Sequence, residues 1–257
     1  MRFRRPSVAL DRRGIKSFYR DTASLKLDRQ LLSLGTRLRE DMRALSELID
    51  HKESAWPLVQ QWVGEASVPV DVLPADPTAG DAALQATQVT TRSPMGAIAH
   101  NAAGIFIDNG WLRVLGAGKH PRFKRSLPEW NEGRSDHFYL VADDVVGGFF
   151  AINGGSLGED LGNVYFYAPD SLQWEPCGFG YSQFLVWAMS EKLHDFYDSL
   201  RWDDWVSEVK QLSGDQSISI YPFLWANGPP IKDRQRGPVP VAEQYALQLD
   251  LQGQLDG

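Results

Sequence analysis

The chain is nearly without cysteine. Cys177 is its single one, which excludes an internal disulfide framework and any zinc site built from several thiolates. By default it reads as a small buried hydrophobe. No run of eighteen apolar residues occurs, so no membrane-spanning helix is expected. The N-terminus lacks the apolar centre of a secretory signal, and the expected compartment is the cytoplasm. Histidine is sparse as well. His51, His100, His120, His137 and His194 show neither an H-x-x-x-H nor an H-E-x-x-H spacing, so they read as unrelated singles and not as a helix-borne metal pair.

What is present is globular. With 257 residues, 43% hydrophobic and 23% charged, the chain is long enough to bury most of its apolar surface. Nine tryptophans point to large aromatic contacts, in a core or on a binding face. The formal charge of -7 hides an asymmetry. Residues 1–41 hold 11 Lys+Arg against 5 Asp+Glu, leaving 15 against 28 for residues 42–257. The first segment is thus +6 and the second -13.

Residues 1–41 carry only weak helical periodicity, at Leu25, Leu27, Leu31, Leu32 and Leu38, and no strand pattern. They read as a basic N-terminal extension, either a nucleic-acid or membrane-surface arm or sequence upstream of a native start at Met42. The second reading is preferred, because MRALSELIDHKESAWPLVQQWV opens a well-formed domain. Residues 42–257 are expected to form one domain. Its -13 charge argues against nucleic acid as its partner.

From Met42 the pattern predicts a helix entered at Ser54 and Pro57, with Trp56, Val59, Trp62 and Val63 along one stripe. A strand over Val68 to Leu73 and a helix from Asp76-Pro77 follow. Gln88 to Arg92 and Gly96 to His100 read as strands. Asn109-Gly110 marks a tight hairpin between Gly104–Asp108 and Trp111–Leu115, because Asn-Gly favours positive φ. A short helix is expected near Leu127 to Asn131. Strands are predicted at Phe138–Ala142, Gly148–Asn153, Val164–Ala168 and Leu172–Glu175, then helices after Gly180, at Lys192–Leu200, Asp203–Leu212 and Val241–Gln254. Asn227 to Pro238 reads as a polar, mobile connection. Central strands with flanking helices argue α+β with a mostly antiparallel sheet.

No catalytic motif emerges from this map. Gly154-Gly155-Ser156-Leu157-Gly158 has the form of a nucleophile elbow, but a glycine turn and a strand follow it where a helix is required. Gly116-Ala117-Gly118 is followed by Pro121 at the third-glycine position, so no dinucleotide fingerprint, and no cofactor, is indicated. Asp143, Asp144, Glu159 and Asp160 are read as acids lining one end of the sheet. They could supply oxygen ligands to a divalent cation, yet Asp and Gly are what tight turns demand. The turn reading is preferred, with no metal site assigned. The tryptophans read as core and interface packing in preference to a stacking platform.

The runs SPMGAIAHNAAGIFIDNGWLRVLGAGKHPRFKRSLPEWN, FYLVADDVVGGFFAINGGSLGEDLGNVYFYAPDSLQWEPCGFGYSQFLVWAM and VPVAEQYALQLDLQGQL resemble the bacterial family called domain of unknown function 2625, from Met42 to the C-terminus. More distantly, Asp144, Gly147-Gly148, Gly162 to Tyr165, Trp174 and Ser182 to Leu185 resemble the element order of the SUKH superfamily, which includes immunity proteins of bacterial toxin systems. That resemblance implies a SUKH-like sheet and a non-enzymatic protein-binding module. A basic protein toxin is the partner it suggests, since an acidic face steers association with a basic surface. The residues expected to meet it are Asp143, Asp144, Glu159, Asp160, Trp111, Tyr165 and Trp174. The alternative is a hydrolase or metal-dependent enzyme with an acid-lined cleft.

Overall fold

A computed structural model describes residues 42–134 and 136–255. The chain divides into two units, residues 1–42 and 43–257, and all described elements belong to the second. The expectations for residues 1–41 lie outside the described residues.

Seven strands form one antiparallel sheet in strict sequence order: β1 (Val70–Pro74), β2 (Ala102–Ile107), β3 (Leu112–Leu115), β4 (Phe138–Asp144), β5 (Phe149–Asn153), β6 (Asn163–Ala168) and β7 (Gln173–Gly180). Every neighbour in the sheet is a neighbour in sequence, so each strand is closed by a local turn or a short excursion. The helices in this part are α1 (Leu45–Leu48), α2 (Trp56–Gly64), α3 (Pro77–Thr87), α4 (Pro94–Asn101), α5 (Leu127–Asn131), α6 (Tyr181–Ala188) and α7 (Lys192–Tyr197). Beyond them lie α8 (Trp205–Val209), the pair β8 (Gln216–Tyr221) and β9 (Gln235–Pro240), which form a separate two-stranded sheet, and α9 (Val241–Leu255). The fold is α+β, as the strand and helix distribution predicts.

Local chemistry accounts for many of these elements. Asp76 caps α3 by accepting from the Thr78 and Ala79 N–H groups, and Ser93 caps α4 through Gly96. Both helices carry Pro at their first position, where its missing N–H costs nothing. The β2–β3 turn uses Asp108, Asn109 and Gly110 at φ 51°, 59° and 91°, the left-handed geometry that the Asn-Gly pair announces. β7 is an edge strand, and Pro176 with half-exposed neighbours blunts it against further pairing.

Side chains alternate across the sheet and build a core on each face. Phe150 and Phe166 point to one side, where Phe150 meets Phe184 of α6 at 4.9 Å and Phe166 meets Phe196 of α7 at 5.1 Å between centroids. Phe149 points to the other, 4.7 Å from Tyr245 of α9. All four of Phe149, Phe150, Phe166 and Phe184 are buried, and truncating any one to Ala is worth about 3–5 kcal/mol.

Three expectations need correction. Gly96 to His100 is helical, within α4, and not a strand: Ser93-Pro94 starts a helix there, and Gly96, Ala97, Ile98 and Ala99 are all buried, so no polar face betrays the 3.6 period. Asn101 ends that helix and Ala102 begins β2, with no turn between them. Gln88 to Arg92 is a loop: Gln88, at φ 57°, ends α3, and Thr91 Oγ1 accepts the Asp50 N–H at 2.8 Å. The polar connection expected over residues 227–238 is tied down in its second half. β9 pairs with β8 from Gln216↔Pro240 to Tyr221↔Gln235, and the Arg234 guanidinium donates to the Pro222, Phe223 and Pro229 carbonyls at 2.8, 2.6 and 2.9 Å.

Candidate docking surface

The acids of the β4–β5 turn are inside the protein. Asp143 is 0% and Asp144 1% exposed, and they leave β4 on opposite faces of the sheet. Asp143 lies 2.5 Å from Arg113 Nη2 and 2.5 Å from Arg125 Nη1. Arg125 continues to Asp215 at 3.5 Å and lies over the Phe123 and Trp130 rings. Asp215 in turn accepts the Lys124 and Arg125 N–H groups at 2.9 and 3.2 Å. This ionic chain joins β3, β4, the loop before α5 and the start of β8. Asp144 faces the other way: Oδ1 accepts the Val146 and Gly148 N–H groups at 2.9 and 2.7 Å, and Oδ2 accepts the Tyr197 hydroxyl at 2.8 Å. Burial pushes its carboxyl up to about 6, against hydrogen bonds from Gly148, Tyr197 and Val146 that favour the charged form. A Cβ on Gly148 would overlap Asp144 Oδ2 and the Phe166 ring, so the second glycine of Gly147-Gly148 is a packing requirement.

The other acids lie at the opposite end of the sheet, in the β5–β6 turn, so the four do not line one end. Antiparallel pairing dictates this, because successive turns alternate ends. Glu159 is exposed and Asp160 half-buried. Asp160 accepts the Tyr165 hydroxyl and, at 2.9 Å, the Asn163 amide. Burial raises its carboxyl, but these bonds outweigh burial and hold it below the usual carboxylate range. Ser156 of the elbow-like sequence donates to the Asp136 and His137 carbonyls at 2.8 and 3.1 Å. It is a turn residue.

The remaining residues expected at the partner surface divide likewise. Trp111 is fully buried, ringed by Tyr197, Trp202 and Trp205 at 5.4, 5.9 and 5.1 Å with Arg201 over its face. Tyr165 is buried through its bond to Asp160. Trp174 is half-buried on edge strand β7, against Phe138 and Tyr167. Beside Trp111, Asp108 is 2% exposed and receives Arg201 and, at 3.1 Å, His194 Nε2. His194, the one histidine downstream of Ser156, is thereby committed to the β2–β3 turn. Among the described residues no group of three or more His, Cys, Asp or Glu could hold a metal ion.

One surface was not anticipated in the sequence. Tyr221, Phe223 and Trp225 follow each other at alternate positions beyond β8, with Tyr221 and Phe223 edge to face at 6.0 Å and Phe223 stacked on Trp225 at 5.6 Å. Tyr221 is 62% exposed and Trp225 36%. Alongside, α9 buries Val241, Gln244, Tyr245 and Gln248 against the sheet and leaves Leu247 and Leu249 on the outside at 40% and 37%. The crease between them, walled by Phe223, Trp225, Leu247 and Leu251, holds about 20 Å³. That is room for a water, not for a small-molecule ligand. Its surroundings are acidic: α9 carries Glu243 and Asp250 and no Lys or Arg, and Asp170 follows Pro169 of the crease. The available signal was YPFLW itself, an i, i+2, i+4 aromatic pattern in an extended, proline-broken segment.

No helix of the described residues is long and apolar enough to cross a membrane. Comparison with known proteins gives a match over residues 45–244 to the family described as protein of unknown function DUF2625. The chain is 41% identical over 213 residues to the putative uncharacterized protein YbfG of Escherichia coli (strain K12), covering 82% of this chain and 97% of that protein. It is 37% identical over 212 residues to an uncharacterized protein of Haemophilus influenzae, covering 79% and 92%. No solved structure matches the chain. A family match across most of the chain, with near full-length relatives in two organisms, makes this protein a member of the DUF2625 family.

Proposed function

We propose that residues 43–257 form a non-enzymatic protein-binding module of the SUKH immunity-protein kind, which captures a basic protein on the Tyr221–Phe223–Trp225 face and the outer side of α9. The observation that carries this reading is the exposed aromatic ladder beside unpartnered leucines. Such side chains supply most of the energy of protein interfaces, and a surface patch of this kind marks an interaction site. Acids around the patch and the -13 charge of residues 42–257 favour a basic partner and fast association. The acidic β5–β6 turn, with Glu159 and Asp160, is a second negative surface at the far end. The distant SUKH resemblance supports a toxin as that partner.

The test is co-expression with the products of adjacent genes, scoring complex formation and protection from toxicity. The expected result is a 1:1 complex weakened at least tenfold by Trp225→Ala, with protection lost in parallel. Neither complex nor protection across those candidates would sink the proposal.

A further inference from the structure

Behind the β2–β3 turn lies a hollow of about 50 Å³, closed by that turn, Val145 and the segment from Val209 to Gly214. Arg113, Arg122 and Lys210 are in its lining, and none of the lining residues is acidic. This is unexpected in a region where acids outnumber bases 28 to 15. Arg122 pairs with Asp71 at 2.6 Å, but both side chains are more than half exposed, so water screens the pair. Lys210 is exposed.

Arg113 is the informative member. It is 1% exposed. Its Nη2 donates to the Asp144 carbonyl at 2.9 Å and faces Asp143, and its Nη1 reaches the Gln216 carbonyl. Its Nε–H finds no acceptor among the described residues. Asp143, its one close carboxylate, is shared with Arg125. A fully buried guanidinium thus keeps an unspent donor and an incompletely balanced charge, which is costly unless something outside the chain meets it.

We propose that this hollow is an oxyanion site that takes a tetrahedral phosphate group, with Arg113 at its base and Arg122 and Lys210 at its mouth. The ligand class follows from the wall: donors and positive charge without carboxylates suit a ligand that only accepts and carries negative charge. The volume admits the phosphate group itself and leaves any organic substituent outside. A water would also fit, but it brings no charge to set against three cations. The residues of the docking face are not in this wall, so the two proposals stand or fall separately.

The experiment is calorimetric titration of the full chain with inorganic phosphate and, in a second arm, glycerol phosphate, in chloride buffer of matched ionic strength. One saturable site per chain is expected, with a Tm increase of about 5–10 °C at a hundredfold excess over Kd. Lys210→Glu and Arg122→Ala alter exposed side chains and are expected to fold, as circular dichroism would show, while binding phosphate at least tenfold more weakly. Equal affinity in both arms assigns the site to a phosphate monoester, and preference for the inorganic ion assigns it to free phosphate. No saturable heat in either arm, or a Tm increase that climbs without saturating and is the same in the variants, as ion exclusion from the surface gives, overturns the proposal.

Discussion

The two ends of the central sheet carry the same kind of turn and opposite outcomes. At one end Asp143 and Asp144 precede a Gly-Gly turn and are buried beneath β8, α7 and α9; at the other, Glu159 and Asp160 sit in a Gly-rich turn that nothing covers. The covered acids became structural charges, one bound by two arginines and one by backbone N–H groups and a tyrosine. The uncovered acids remained turn residues in contact with water. An acid in a turn therefore says little about function until it is known what packs above it.

Removing a charge should separate the two ends most sharply. Asp143→Ala strands Arg113 and Arg125 and is expected to cost about 3–5 kcal/mol in urea unfolding, whereas Glu159→Ala should stay within about 0.5 kcal/mol. Equal costs would erase the distinction between the ends.

The ends should also respond to pH with opposite sign. Asp144 is raised to about 6 from 3.8, so the folded state holds that proton more tightly than the unfolded chain. Its ionisation lowers stability as pH climbs from about 4 to about 6, by about 3 kcal/mol in all. Asp160 is lowered, so its contribution is present above the unfolded value and lost as pH falls through the folded one. Urea midpoints of the parent, Asp144→Asn and Asp160→Asn at pH 4 and pH 7 check this. Asp144→Asn should gain relative to the parent on going to pH 7, and Asp160→Asn should not.

A smaller contrast lies in the glycines. Gly148→Ala forces a methyl group against Asp144 and Phe166 and should cost about 2–3 kcal/mol. Gly162→Ala, at φ +81° with nothing within 4 Å, should cost about 1–2 kcal/mol, from backbone strain alone. Thermal unfolding ranks the two; the reverse order would show that the covered turn yields more easily than its packing implies. Smallest of all, Tyr165→Phe removes one partly exposed bond to Asp160 and should cost about 1 kcal/mol.

Much of the fold was legible because its signals are local. Asn109-Gly110 announces its hairpin, Asp76-Pro77 and Ser126 their helix starts, and the aromatic strands from Phe138 to Glu175 their alternation. Where a local signal was silent, the reading went astray. The α4 segment is buried on every side and so lacks a helical stripe. β8 and β9 are short, with Pro238 and Pro240 in one of them, and their pairing is non-local. The candidate surface was less legible than the fold. Trp111 and Trp225 are the same residue type, but one is ringed by Tyr197, Trp202 and Trp205 while the other stays outside beside Leu247.

By itself the sequence determined the α+β class, the turns of the main sheet, the turn character of Ser156 and the family. These follow from φ preferences, hydrophobic periodicity and residue identity, each read within a few neighbours. Only the tertiary structure decided which acids are buried and which aromatics are exposed. Burial depends on what a distant segment lays over a turn: β8, α7 and α9 reach the Asp143–Asp144 end from 50 to 110 residues further along the chain, and no local pattern encodes that coverage.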